Sequence, residues 1–138
     1  MGISYEKAPD VEKIASLIID TLSLGYIDKS RLHFYRSRGS TSRRVQARIH
    51  GMGRIWFDAL GMTPHYIIEV ISEEFDRLAD EEKERVVIHE LMHIPKKFSG
   101  GFVPHRGRIN KKTVEKMYRS YRDALPYSKF EETKIQPH

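Results

Sequence analysis

The segment His89-Glu90-Leu91-Met92-His93 constrains the folding of this chain more than any other feature of the sequence. Its two histidines are four positions apart, so on a helix they project from one face and can bind one metal ion between them. The residues around them are mostly apolar, which predicts a buried helix. Burying two imidazoles and a carboxylate without partners carries a large free-energy penalty. A bound metal ion would remove that penalty.

The same segment contains the groups that a zinc hydrolase needs. A catalytic zinc site takes three protein ligands and leaves one position for water, whose pKa the ion lowers to about 7. Glu90 is placed to take the proton of that water as general base and to pass it to the leaving amine. We therefore expect His89 and His93 to bind one Zn²⁺ ion and Glu90 to be catalytic. The competing interpretation is a helix with two satisfied core histidines and a surface glutamate.

The third ligand has to come from another part of the chain. Lys96 and Ser99 stand where the metzincin pattern requires glycine and histidine, which excludes that class. We favour His105, because it follows a glycine-rich loop and lies in a turn-rich segment close to the predicted metal helix. Glu115, one turn into the next predicted helix, is the rival ligand, and Asp123 is a weaker one.

Other polar residues are candidates for secondary roles. A tyrosine, histidine or arginine can stabilise the oxyanion of the tetrahedral intermediate, and the sequence offers Tyr118, Tyr121, His65 and Arg106. Both tyrosines also suit the core of their own helix. We interpret His33 and His50 as structural, because neither has a partner at metal-binding spacing. The segment Tyr66–Ile71 is a candidate for the sheet edge on which an extended substrate adds as a further strand.

Hydrophobic periodicity predicts helices and strands in alternation along the chain. The predicted helices are Asp10–Leu24, with Asp10 and Gly25 as caps, a second from Asp80 to just before Pro95, and a third from Asn110 to Leu125. The predicted strands are Arg31–Arg36 and Tyr66–Ile71. Val45–Leu60 is ambiguous, although Ile55, Trp56, Phe57 and Leu60 are all expected to be buried. These elements predict an α+β fold.

Length and composition bound the remaining choices. The chain has 138 residues, of which 39% are hydrophobic, which fits one domain with a core from about residue 10 to 125 and a polar tail at 127–138. It has no cysteine, which excludes disulfides, zinc fingers, iron–sulfur clusters and cysteine nucleophiles. Its apolar runs fall short of the ~20 residues that a membrane span needs. We expect a cytoplasmic protein with no membrane partner.

Positive charge is concentrated in one part of the sequence. From Lys29 to Phe57 there is no acidic residue. The arginines in this segment are Arg31, Arg36, Arg38, Arg43, Arg44, Arg48 and Arg54. Such a segment can follow a phosphate backbone and bind nucleic acid in a salt-dependent way. It can also be an ordinary solvated face. We favour the solvated face, because no nucleic-acid-binding motif accompanies the arginines.

The block from His89 to His105, HELMHIPKKFSGGFVPH, resembles the phage metallopeptidases, a family of small zincin-like proteins of phages, archaea and bacteria. Arg54–Gly61 and Tyr66–Ile71 are similar to that family as well. The resemblance implies a minimal zincin-like domain, in which a small sheet packs on the active-site helix and its flanking helices. It also implies a zinc site formed by His89, His93 and His105, with Glu90 catalytic.

The function that we expect is that of a zinc-dependent metallopeptidase acting on a protein or peptide. A second hypothesis is a metal hydrolase for a non-peptide amide. A third is a nucleic-acid-associated protein, either a binding module with a structural metal or a protease resembling the SprT-like proteases, which act on proteins attached to DNA. The chain lacks the cysteine zinc ribbon of that family. A purely structural metal site would have no use for Glu90, which argues against a binding module.

Overall fold

A mixed four-stranded sheet forms one layer of the computed structural model, which describes residues 2–126. The strands are β1 (Ser4–Lys7), β2 (Leu32–Arg38), β3 (Ala47–Gly51) and β4 (Tyr66–Ile71). The helices are α1 (Pro9–Thr21), α2 (Arg54–Leu60), α3 (Ser72–Phe75), α4 (Asp80–Met92) and α5 (Lys111–Ala124), with a 3₁₀ turn at Lys29–Arg31. The α+β prediction is confirmed. The polar tail expected at 127–138 lies outside the described residues.

The strand order is β1-β2-β4-β3, which places β4 inside the sheet. β4 runs parallel to β2 and antiparallel to β3, while β1 is antiparallel to β2. Side chains alternate between the two faces of a strand, and Tyr66, Ile68 and Val70 of β4 are fully buried on the face that holds the core. The prediction that Tyr66–Ile71 forms a sheet edge is therefore wrong, because this strand has neighbours on both sides. The edge on that side of the sheet is β3.

Three helices bury their apolar sides in the core. α4 contacts α1, α5 and β3, so it lies in the middle of the helical layer. Burial of a large aliphatic or aromatic side chain contributes about 1.5–3 kcal/mol, and each helix supplies several. The buried residues include Val11, Ala15 and Ile18 of α1, Val87, Ile88 and Leu91 of α4, and Val114, Tyr118 and Tyr121 of α5. The helix that carries the predicted metal ligands is thus fixed on three sides. None of the helices in the described part of the chain is long and apolar enough to cross a membrane.

Helix α1 is shorter than the sequence predicts, and its caps differ. Asp10 lies inside the first turn, where its carboxylate accepts a hydrogen bond from the guanidinium of Arg36 at 2.7 Å instead of capping the helix. At the other end, Ser23 adopts the left-handed conformation, with φ of 54°, two residues before Gly25. The cap predicted at Gly25 is therefore wrong, because the chain already reverses at Ser23.

The ambiguous segment Val45–Leu60 contains strand β3 and the short helix α2. Phe57 is the buried residue of α2, at 4% exposure, and a Cβ on Gly100 would lie 2.8 Å from its ring. The other three apolar residues expected to be buried are exposed: Ile55 at 77%, Trp56 at 57% and Leu60 at 54%. That expectation is wrong for these three. A two-turn helix at the rim of the fold can bury one side, and Phe57 occupies it.

Much of the basic segment is neutralised inside the fold. Four of its seven arginines form ion pairs with carboxylates: Arg31 with Asp28, Arg36 with Asp10 and Asp76, Arg38 with Glu6, and Arg48 with Glu69. Arg36 is only 8% exposed. A guanidinium held by a carboxylate of its own chain is a poor contact for a phosphate backbone, so the structure does not support a nucleic-acid-binding surface along the whole segment.

Candidate metal centre

Helix α4 and its C-cap carry three polar residues of the predicted site, namely His89, Glu90 and His93. Asp80, Glu81 and Glu82 occupy its first turn, where the positive end of the helix dipole favours acidic groups. The helix ends at Met92, and His93 is its C-cap. His89 and His93 are one turn apart, and the centroids of their rings are separated by 5.2 Å. His89 is partly exposed and His93 is 8% exposed.

The loop after α4 folds back onto the helix through two hydrogen bonds between His93 and Val103. The amide of Val103 donates to the carbonyl oxygen of His93, and the Nδ1–H of His93 donates to the carbonyl oxygen of Val103, both at 2.8 Å. The second bond fixes the tautomer of His93, so that its Nε2 presents a lone pair. Because Val103 is held there, His105, two residues later, is brought beside the helix.

Tyr66 of β4 also holds this loop in place, through its hydroxyl group. Its hydroxyl accepts a hydrogen bond from the amide of Gly100 at 2.8 Å and donates one to the carbonyl of Gly101 at 2.7 Å. Gly100 has a φ of +97°, which side chains disfavour, and a Cβ there would contact Phe57. Glycine at position 100 is therefore required by both backbone conformation and space.

The side chains of His89, His93 and His105 meet at one point. The Nε2 atoms of His89 and His105 are 3.2 Å apart, and the three candidate ligand atoms all lie within 4.8 Å of one another. Tetrahedral zinc with Zn–N bonds of about 2.0–2.1 Å places its nitrogens about 3.3–3.4 Å apart. Burial lowers the pKa of His89, and the neighbouring His93 and His105 lower it further, which favours the neutral imidazole that a metal requires. This cluster could hold one metal ion.

Glu90 lies beside the cluster and is 7% exposed. Burial raises the pKa of its carboxyl from 4.5 to about 7, because the charged form loses water. A carboxyl in this range can both accept and return a proton near neutral pH. The arrangement therefore combines a candidate metal site with a candidate acid–base group on the adjacent residue of one helix.

A cleft with two lobes opens onto these residues, and both lobes are lined by Ala47, His89 and Glu90. The smaller lobe, of about 520 Å³, is mostly apolar and is lined also by Ile49, Phe102, Val103 and Pro104 with His93 and His105. The larger, of about 780 Å³, is charged and is lined by Arg44, Glu82, Arg85, Lys111 and Glu115 among others. Each is large enough to take side chains of a peptide.

Comparison with protein families agrees with this geometry. The family model described as "putative phage metallopeptidase" matches residues 3–123. The chain belongs to this family. The match confirms the resemblance found in the sequence, and it spans the three histidines, Glu90 and every residue of the cleft named above. Comparison with curated proteins and with solved structures found no match.

Glu115 and Asp123, the rival candidates for the third ligand, are not part of the histidine cluster. The carboxylate of Glu115 accepts a hydrogen bond from Nε of Arg85 at 2.7 Å, and this bond lowers the pKa of Glu115. Among the residues that the structure describes, the group suited to a metal consists of the three histidines and includes neither Glu115 nor Asp123.

The four candidates for an oxyanion-stabilising residue do not line either lobe of the cleft. Tyr121 is fully buried and Tyr118 is 7% exposed, with the guanidinium of Arg85 4.2 Å from the centre of its ring. His65 stacks on His33, with Nδ1 and Nε2 2.9 Å apart. Arg106 is exposed next to His105. His50 pairs with Glu69 at 2.7 Å on the sheet, so both His33 and His50 have structural partners.

Sequence reasoning missed the cleft residues contributed by β3 and by the loop. The alternation of apolar and polar residues in Ala47–Gly51 was a usable signal for a strand, but the following Gly53 obscured it. Tyr66 carried a signal too, because a tyrosine buried in a strand needs a partner for its hydroxyl. Which partner it finds could not be predicted, since Gly100 is 34 residues away.

Replacing Tyr66 with phenylalanine is expected to destabilise the protein by about 1–3 kcal/mol, because the buried amide of Gly100 loses its acceptor. The free energy of unfolding in urea would measure the loss. Tyr5→Phe is the matched control, since Tyr5 is 63% exposed, and it should change stability by less than about 0.5 kcal/mol. Equal losses in the two variants would show that the Tyr66 hydroxyl does not hold the loop.

Proposed function

We propose that this protein is a zinc-dependent peptidase that hydrolyses peptide bonds in a protein or peptide substrate. The observation that carries the proposal is the meeting of His89, His93 and His105 beside the buried carboxylate of Glu90, within a cleft. Membership of a family described as metallopeptidases supports it.

His89, His93 and His105 would hold the ion. Three neutral imidazoles with one open position form a donor set typical of catalytic zinc. When bound, the ion would supply a Lewis acid that makes water more acidic and polarises the peptide carbonyl. The hydrogen bond from His93 to the carbonyl of Val103 orients one of the rings, and the loop that carries Val103 also positions His105.

Glu90 would act as the proton carrier of the reaction. It accepts the proton of the attacking water as general base, and it then donates that proton to the amine that leaves. Its neighbour His89 lines the same two lobes, so the carboxylate lies where a substrate that spans both lobes would be cut. Burial of Glu90 strengthens its electrostatic interaction with the reacting groups.

The edge strand β3 would orient the substrate. One side of β3 pairs with β4, and Ala47, Arg48 and Ile49 line the apolar lobe beside the histidines. An extended peptide can add to a free strand edge through backbone hydrogen bonds, which bind many sequences alike. The sequence offered Tyr66–Ile71 as a candidate for this role, but that strand lies inside the sheet.

Removal of the metal tests the proposal. The purified protein is expected to bind one zinc ion per chain and to cleave members of a random peptide library. A chelator should abolish cleavage, and one equivalent of zinc should restore it. Magnesium should not restore cleavage, because Mg²⁺ prefers oxygen ligands to imidazole. Elemental analysis measures the zinc and mass spectrometry the products. Cleavage that persists in fully metal-free protein would contradict a metal-dependent mechanism.

A further inference from the structure

We propose that Arg44 and Lys111 form a subsite for a carboxylate of the substrate, in the charged lobe of the cleft. The inference rests on the proposed peptidase function and adds a substrate class to it, namely peptides with an acidic group near the bond that is cut. Both side chains line the lobe that is also lined by His89 and Glu90.

Most of the other charges in this lobe neutralise one another. Arg85 lies between two acidic residues: its Nη1 donates to Glu82 at 2.6 Å and its Nε donates to Glu115 at 2.7 Å. Arg119 adds a further contact to Glu115 at 3.6 Å. Because each of these carboxylates binds the guanidinium of Arg85, each repels an incoming anion less strongly than a free carboxylate would.

Arg44 and Lys111 are different, because no carboxylate of residues 2–126 forms an ion pair with either. Both are exposed. Glu90, the remaining acidic residue of the lobe, is 7% exposed. Arg44 and Lys111 are therefore the exposed charges of this lobe that have no ion-pair partner among residues 2–126. Lys111 is also the first residue of α5, so the positive end of that helix adds to the same field.

The position of the lobe makes the subsite selective. It meets the apolar lobe at Ala47, His89 and Glu90, so a peptide that passes the histidines would place one flank in each lobe. The flank in the charged lobe would be favoured if it carried a carboxylate, and the other if it carried an apolar side chain. The carboxylate can come from an aspartate or glutamate side chain or from the C-terminus of the substrate.

Two pools of random peptides separate these sources. In one pool the ends are acetylated and amidated, and in the other the C-terminus is free. Zinc-loaded protein is incubated with each, and the cleavage sites are mapped by mass spectrometry. Enrichment of Asp and Glu at a fixed position in the blocked pool identifies a side-chain carboxylate. Cleavage at a fixed distance from the end, in the free pool alone, identifies the terminal carboxylate. Either result supports the proposal.

The variants test whether these two residues are responsible. Arg44→Gln and Lys111→Gln are each expected to reduce the preference for the acidic group about tenfold, and Lys111→Glu should shift it towards Lys and Arg. The matched controls are Arg43→Gln and Lys112→Gln, which remove the same charge one residue away, at exposed positions that do not line the cleft. They should leave the preference within about twofold, because exposed charges outside the cleft are screened.

The outcomes distinguish this proposal from the one on which it rests. Cleavage by the wild type with no acidic preference in either pool overturns the carboxylate subsite and leaves the peptidase intact. A preference that Arg44→Gln and Lys111→Gln do not change, or that the two controls change equally, overturns the assignment to these residues. The absence of cleavage in both pools by protein that holds zinc overturns the proposed function and the subsite with it.

Discussion

A Glu90→Gln variant is expected to lose about 10³-fold in the rate of peptide cleavage, because general acid–base catalysis contributes about 10²–10⁴-fold. The amide has nearly the shape of the carboxyl but cannot accept a proton from water. Glu90 is outside the histidine cluster, so the variant should still bind one zinc ion per chain. The rate of hydrolysis of a peptide from the library, measured on protein of verified zinc content, gives the result.

Glu82→Gln is the matched control for this experiment. Glu82 lies on the same helix and lines the same lobe, but its carboxylate accepts a hydrogen bond from Arg85 and it is not adjacent to a predicted ligand. Its replacement should change the rate by less than about tenfold, which corresponds to less than about 1.4 kcal/mol. Undiminished cleavage by zinc-loaded Glu90→Gln would exclude Glu90 as the base. Loss of zinc from that variant would show that Glu90 helps to build the site.

Local signals in the sequence predicted the two helices on which the site depends. Asn110 is the N-cap of α5, as expected, and its side chain accepts a hydrogen bond from the amide of Thr113. Helix α4 starts at Asp80, as predicted. These signals lie within one or two helical turns, so they can be read directly from the sequence. The three histidines could be named for the same reason, since two are one turn apart and the third lies in the loop that follows.

Features that depend on distant contacts could not be predicted. Strand β1 has four exposed residues and no apolar alternation, so its pairing with β2, 28–34 positions along the chain, leaves no local signal. The central position of β4 depends on which strands pair with it. Arg36 looked like part of a basic surface because its partner Asp76 is 40 residues away. Each of these errors concerns a contact between segments far apart in sequence.

The return of His105 to the helix is an intermediate case. A glycine-rich loop made the return possible, but the bonds between Val103 and His93 and between Tyr66 and Gly100 determine where the loop goes. Before the structure, His105 and Glu115 were both reasonable third ligands. The pairing of Glu115 with Arg85 favours His105 as the third ligand.

Replacing His105 with alanine is expected to weaken zinc binding by more than about 100-fold, because loss of a residue that merely supports a ligand already costs about 10–100-fold. The change in zinc affinity can be measured through the free energy of unfolding, because bound zinc stabilises the folded state. At a free zinc concentration 100 times the wild-type dissociation constant, zinc should stabilise the wild type by about 2.7 kcal/mol. In the variant, the same concentration should add less than about 0.5 kcal/mol. Unfolding with and without zinc measures both values.

Glu115→Ala is the comparison that decides the third ligand. Its carboxylate lies in the neighbouring lobe and is held by Arg85, so its removal should leave zinc affinity within a few-fold of the wild type. The partly exposed ion pair that it loses is worth about 1 kcal/mol or less, and this loss should be the same with and without zinc. The reverse pattern, with Glu115→Ala losing zinc and His105→Ala keeping it, would assign the third position to Glu115. His105 would then be a solvated loop residue, and the bonds between His93 and Val103 would serve only to close the loop.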